Sequence, residues 1–341
     1  MISIPLRRWY FILWPLLLLL LFWALRSIPL YSVLDTLAAL RLYQLAILGA
    51  LNAVILFLLS SRWWLILRAM GYQVSYLSLL GYRLASFGIS YFTPGGQFGG
   101  EPLQVYMLRR RHHLPGAAAL ASVSLDKVIE LAASFTFLCA GFVLILNGGL
   151  AHWLAHSQTV LAIAVLLALP LLYFLALLGG FHPISFLIQR LPARIQKTPP
   201  ARRLLPVISA AEKQTTFLFR QNPLLILWML LLSALTWTLM LLEYWLMLSF
   251  LGVDLSLSQA VIALTAARLA FLTPAPGGLV ALEAGQIFIL QLLGAESAAG
   301  VSASLLIRIR DVATGVFGLW WAGMLSRSGA AEPVPIRTTD P

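Results

Sequence analysis

In a chain where Asp, Glu, Lys and Arg make up only 10% of 341 residues, the charges that interrupt apolar stretches are the ones placed to do chemistry. Two glutamates stand in matched surroundings. Glu101 closes Pro94-Gly-Gly-Gln-Phe-Gly-Gly-Glu101 and Glu283 closes Pro276-Gly-Gly-Leu-Val-Ala-Leu-Glu283, both reading P-G-G-x-x-x-x-E. Asp126 and Arg308 follow these glutamates at the same distance, 25 residues on. Each opens a charged patch in an apolar stretch: Asp126, Lys127 and Glu130 in the first half, Arg308, Arg310 and Asp311 in the second. The paired glycines (Gly95-Gly96, Gly277-Gly278) permit positive φ at a tight reversal. A helix that restarts after such a turn presents free N–H groups and a positive dipole end to a phosphate or carboxylate. Pro102 suits the first turn of that helix, with Glu101 as its acidic neighbour.

Several roles stay open for these residues. The two glutamates either complement their own helix dipoles and pair with arginines, or share in head-group, cation or proton handling. Lys127 with Glu130 and Arg308 with Asp311 have the i,i+3 spacing of helical ion pairs. The patches therefore read either as structural pairing, with Arg83, Asp126, Glu130, Arg310 and Asp311 as supporting or coupling charges, or as substrate contacts through Lys127 and Arg308. Arg268 lies about 9 Å along its helix from Pro274, at ~1.5 Å rise per residue, and is the arginine expected to meet an anionic head group. Arg83 lies further from its break and is expected to snorkel toward the interface. No Walker loop, CxxC, HExxH or GxSxG occurs, and Ser124-Leu-Asp-Lys127 has the S-x-x-K spacing without its usual companions. No metal set forms among the five histidines, His112 and His113 reading as part of a basic interfacial run. No catalytic residue, metal or cofactor is expected.

The elements that must position these groups are membrane helices. The chain is 60% hydrophobic with mean hydropathy +0.90, whereas soluble domains carry roughly 25% charged residues. A span needs about 20 apolar residues. Full spans read as Tyr10–Ile28, Gln44–Ser60, Ala117–Leu146, His152–Leu178, Pro223–Phe250 and Ser297–Leu325. Two further apolar regions, Tyr76 to about Leu108 and Ser258 to about Leu293, are broken at the Pro-Gly-Gly motifs. Backbone released from helical hydrogen bonding survives at membrane depth only when buried in protein or lining a wet cavity. Each is therefore expected to be a re-entrant hairpin. The fold class expected is an all-α polytopic membrane protein, an inverted repeat with about six full spans and two re-entrant broken hairpins whose tips meet near the midplane. The first repeat covers about 10–146 and the second about 152–325.

The formal charge of +11 suggests a nucleic-acid partner, but sixteen of the 23 Lys and Arg fall in short stretches that can share one membrane side. That asymmetry fits positive-inside orientation, with both termini cytoplasmic, and the cationic surface meets anionic lipid rather than nucleic acid. Residues 181–222 form a basic cytoplasmic linker, read either as interfacial amphipathic pieces or as a solvated connection between halves. Residues 329–341 read as a disordered cytoplasmic tail. Trp9, Tyr10, Trp63, Trp64, Trp320 and Trp321 look like interfacial anchors. The lone Cys139 forms no internal disulfide.

With both Pro-Gly-Gly motifs in view, the chain from about Tyr10 to Leu325 resembles the lysylphosphatidylglycerol synthetase transmembrane-region, or flippase-like, family. That family includes the membrane half of multiple-peptide-resistance factors and hopanoid-associated membrane proteins. The resemblance implies a single flippase-like domain over 1–328 that moves an anionic, aminoacylated or polyisoprenoid-type lipid between leaflets of a bacterial-type inner membrane. It carries Pro94, Gly95, Gly96, Glu101, Pro276, Gly277, Gly278 and Glu283 over as residues of the lipid path. Val280-Ala281-Leu282 departs from the glycine-bearing stretch often found before the second glutamate. Only a short tail follows the last span, so the soluble aminoacyl-transferase domain of full-length synthetases is not expected, nor is its enzyme activity. The partner implied is a membrane phospholipid or polyisoprenoid; a homo-oligomer and lipid-biosynthesis enzymes stay open as further partners. The alternatives are a membrane enzyme acting on a lipid carrier, with Glu101 or Glu283 as base, and a non-transporting scaffold for lipid biosynthesis.

Overall fold

The computed structural model describes residues 40–93, 99–147, 157–190, 199–273 and 275–327, with Tyr31 and Ala38. The first expected span and the C-terminal tail lie outside the described residues. Among the described residues the secondary structure is helical, with no strand.

The helices are α1 (Leu42–Ala69), α2 (Tyr76–Phe92), α3 (Glu101–His112), α4 (Gly116–Asn147), α5 (Ser157–Leu178) and α6 (Pro183–Gln189). They continue as α7 (Pro199–Gln221), α8 (Pro223–Phe250), α9 (Leu257–Ala270), α10 (Ala281–Leu292) and α11 (Ser297–Arg327), with a 3₁₀ turn at Pro276–Gly278 before α10. Three of them, α1, α4 and α8, are long and apolar enough to cross a membrane. Both motif-bearing regions are interrupted where the Pro-Gly-Gly sequences fall: α2 stops at Phe92 and α3 restarts at Glu101, while α9 stops at Ala270 and α10 restarts at Ala281.

Local chemistry sets these boundaries. Ser256 opens α9 with a capping box: its hydroxyl accepts the Gln259 N–H, and the Gln259 side chain accepts the Ser256 N–H. α5 ends at Gly180 (φ 87°), where Phe181 N–H reaches Ala176 O at 2.8 Å and Gly180 N–H reaches Leu177 O at 3.1 Å. This paired arrangement satisfies carbonyls that the helix end would leave open.

The chain divides into two compact units. One comprises residues 1–50, 89–99 and 241–314, the other 51–88, 100–240 and 315–341. In the second unit, α4 packs against α3, α5 and α7. One apolar cluster joins Trp63, Leu67, Leu79, Tyr82, Leu108 and Val123, and another joins Ile66, Leu125, Ile129, Phe174, Leu218 and Met229. Lipid is as apolar as leucine, so membrane helices gain little from burial and depend on close packing of small residues. α2 and α11 show it: a Cβ on Gly88 would stand 2.6 Å from Gly315 O, and one on Gly318 would strike the backbone of Leu84. In the first unit, α9 packs against α10, with Gln286 buried between them and donating to Ala263 O. Leu161, Val165, Leu169 and Leu172 of α5 remain exposed, an outward apolar face suited to lipid.

Three expectations need correction. α1 continues past Ser60 to Ala69, so Trp63 is not an interfacial anchor: it is fully buried and its indole N–H reaches Ser122 Oγ at 3.4 Å. The 181–222 region is not merely a solvated connection, since α7 packs on α4, α5 and α6 and contributes Leu218 and Phe219 to the core. His112 is buried against the Tyr82 hydroxyl, 3.1 Å away, because it closes α3 on its inward side.

Candidate functional site

Two charged clusters form, one in each unit. In the unit containing α3 and α4, Asp126 is held on both oxygens. Arg62 Nε meets Oδ1 at 2.6 Å, and Arg83 Nη2 pairs with Oδ2. Both arginines also reach Glu130 Oε2 at 3.4 Å, and Arg62 donates to Ser233 Oγ of α8 at 3.1 Å. Lys127 bridges Glu130 at 3.0 Å and Glu101 at 3.1 Å. Three cations thus face three anions. The Arg62–Asp126 base is sealed, with side chains 3% and 6% exposed, while Glu130 is 29% exposed. A charge at membrane depth is tolerated only when so compensated.

Each member is delivered by local sequence. Glu101 sits in the first turn of α3, with Pro102 beside it, as the motif predicts. Gly100 just before it lies so close to α2 that any Cβ would strike the Ser86 carbonyl, which is why the motif ends in glycine there. Asp126, Lys127 and Glu130 share one stretch of α4. Arg83 does not snorkel to the interface: its side chain is drawn inward to Asp126, because α2 places it opposite that carboxylate.

The other cluster lies in the unit containing α9 and α10. Arg308 of α11 pairs with Glu283 through Nε and donates from Nη1 to Gly277 O at 3.2 Å. Arg310 reaches Glu243 of α8 at 3.1 Å and its neighbour Asp311 at 2.8 Å. The i,i+3 pairing expected of Arg308 with Asp311 is therefore replaced: Arg308 turns to the first-turn glutamate of α10, leaving Asp311 to Arg310. The turn before α10 is strained. Gly277 and Gly278 have φ 54° and 62°, and Val280, at the position that departs from the glycine-bearing pattern, has φ 71°. A β-branched residue there is a real outlier. Tyr91 lies so near Gly277 that an added Cβ would stand 2.8 Å from its ring. Around this turn, Glu283 Oε2 and Arg308 Nη2 are buried without a hydrogen bond among the described residues, and the Tyr91 hydroxyl stands beside the Arg308 guanidinium.

Both restarted helices thus carry their glutamate in the first turn, and each glutamate is met by a cation of the long helix that follows. Arg268 occupies the last turn of α9, where a cation offsets the negative dipole end. Pro94, Gly95, Gly96 and Pro274 lie outside the described residues, and Pro276 is described through its backbone only. Three participants are not among the residues singled out from the sequence. Arg62 lies just past Ser60, where the second span is expected to end, and Ser233 gives no signal among apolar neighbours. Glu243, a lone carboxylate deep in an apolar stretch, does give one. Among the described residues no group of His, Cys, Asp and Glu is arranged to hold a metal.

Helices long and apolar enough to cross a bilayer, outward apolar faces and compensated interior charge define a helical membrane protein. Residues 10–318 match the family described as "Lysylphosphatidylglycerol synthase TM region", and the chain belongs to that family. It is similar to a "UPF0104 membrane protein" of Methanothermobacter thermautotrophicus, 23% identical over 270 residues, 76% of this chain and 78% of the relative. A second match under that description in the same organism is 31% identical over 127 residues, 37% of this chain and 35% of the relative. A UPF0104 membrane protein of Methanocaldococcus jannaschii is 26% identical over 97 residues, 28% of this chain and 29% of the relative. No solved structure matches the chain.

Proposed function

We propose that this protein translocates a lipid with an anionic, aminoacylated or polyisoprenoid-linked head group between leaflets of a cytoplasmic membrane. In this reading six helices span the bilayer, the α2–α3 and α9–α10 pairs re-enter it, and both termini are cytoplasmic. The observation that carries it is the Arg308–Glu283 pair at the kinked turn. Arg308 leaves Nη2, and Glu283 leaves Oε2, buried without a hydrogen bond among the described residues. A buried polar group without a partner costs roughly 1–3 kcal/mol, more when charged. A head group that carries both an acceptor for Nη2, such as a phosphate oxygen, and a donor for Oε2, such as a hydroxyl or ammonium, would satisfy both, and the strained turn is the kind of backbone that collects at functional sites. Lys127, bridging Glu101 and Glu130 at the less sealed side of its own cluster, offers a second cation for the same task.

Reconstitution into liposomes tests the proposal. Labelled phosphatidylglycerol, aminoacyl-phosphatidylglycerol or polyprenyl phosphate should change leaflet faster with the protein than without it. Arg308→Gln should slow that exchange about tenfold, equivalent to ~1.4 kcal/mol in the barrier. The control Glu296→Gln, at an exposed position, should leave it unchanged. No acceleration with any of the three lipids overturns the proposal.

A further inference from the structure

Residues 181–222 contain seven cations and one acidic residue, Glu212. Glu212 is buried, and its carboxylate accepts the Ile184 N–H and the Ser185 N–H at 3.0 Å, the Ser185 hydroxyl, and the Tyr173 hydroxyl at 3.2 Å. Those bonds fasten the first turn of α6. A seven-residue helix does not stand alone in water, where even good sequences need about 12–15 residues. The fold therefore holds α6 in place from one side. Its other side is exposed among the described residues: Phe181 is 73% exposed, Leu187 64%, and Ile184 and Phe186 are exposed too. Cations rim these groups. The Arg190 guanidinium stacks 4.2 Å over the Phe186 ring, and the Arg220 guanidinium lies against Gly180, next to Phe181. On the outer face of α7, Lys213, Phe217 and Arg220 follow at i, i+4 and i+7.

We infer that α6 is an interfacial foot, lying flat in the head-group layer of an anionic membrane. Phe181, Phe186 and Leu187 enter the acyl boundary, while Arg190 and Arg220 meet lipid phosphates. Three observations select a lipid surface. The patch begins three residues after the apolar helix α5 ends, so it stands where that helix leaves the hydrocarbon. At ~1.5 Å per residue α6 is about 10 Å long, far too short to cross. Its rim is uniformly cationic, complementary to anionic lipid, and the single acid of the segment is turned inward. An aromatic and aliphatic face rimmed by arginine is the composition of helices that lie in the interface plane. The inference is independent of lipid transport.

The test uses the full-length protein with Cys139→Ala and a nitroxide on Leu187→Cys. In vesicles containing one part phosphatidylglycerol to two parts phosphatidylcholine, the label should collide severalfold more with oxygen than with a water-soluble nickel reagent. Its depth should be about 5–10 Å below the phosphates. In pure phosphatidylcholine, or at high salt, that ratio should fall as the electrostatic attraction is screened. Adding Glu212→Gln should reduce it further, whereas label mobility at a reference site in α8 should stay constant, separating release of the foot from general unfolding. Three results overturn the inference: a label open to nickel in both vesicle types, a depth matching the bilayer centre, or dipolar broadening between labels on two copies. The last would assign the patch to self-association.

Discussion

At the scale of single residues, the two charged clusters differ in how fully their carboxylates are engaged. Asp126 has both oxygens engaged by arginines, so removing its charge leaves two buried guanidinium groups with only the longer 3.4 Å contacts to Glu130 to offset them. Breaking a buried pair from one side costs about 3–5 kcal/mol because the remaining charge is left uncompensated. Asp126→Asn is therefore expected to lower the thermal unfolding midpoint in detergent by many degrees, with Asp126→Glu recovering part of the loss. Glu283→Gln leaves one guanidinium that still donates to Gly277 O and is less sealed, so its midpoint should fall by less than half as much. Equal losses for Asp126→Asn and Glu283→Gln would remove the distinction between a brace and an open pair.

At the scale of elements, the strained turn before α10 makes opposed predictions for adjacent residues. Gly277 combines positive φ with Tyr91 packed where a side chain would begin, so Gly277→Ala should destabilise by about 1–2 kcal/mol and disturb the Arg308 contact to its carbonyl. Val280 holds a left-handed φ with a β-branched side chain, so Val280→Gly should raise the unfolding midpoint, relieving about 1 kcal/mol. Denaturant titration of both variants checks the signs. In α6, Glu212→Gln should speed amide exchange at Ile184 and Ser185 about tenfold, while amides in the middle of α4 stay protected. The Pro-Gly-Gly motifs made both helix interruptions readable in advance, since turn chemistry is local. That Glu283 would pair with an arginine was among the readable alternatives, but that the arginine is Arg308 was not, because i,i+3 proximity competes with a partner far along the chain.

At the scale of the whole molecule, each unit must hold together without much help from burial, since lipid solvates apolar side chains as well as protein does. Close approach of α2 to α11 through Gly88, Gly315 and Gly318 supplies part of that cohesion. Gly318→Val would drive its side chain into the Leu84 backbone, which cannot rotate away, and should sharply reduce the yield of folded protein by size-exclusion chromatography in detergent. Gly49→Val, with open space around it, should not. Low charge content together with continuous apolar stretches of span length pointed from the sequence to a helical membrane protein, because such stretches suit a bilayer and not water. The doubled P-G-G-x-x-x-x-E likewise determined where helices break and which glutamates begin their successors. Only the tertiary structure decided which charges meet. It drew Arg62 and Arg83 inward to Asp126, brought Glu243 to Arg310 and buried Trp63. Pairing energy in a low-dielectric interior depends on distances that helix packing sets, and a linear sequence does not carry them.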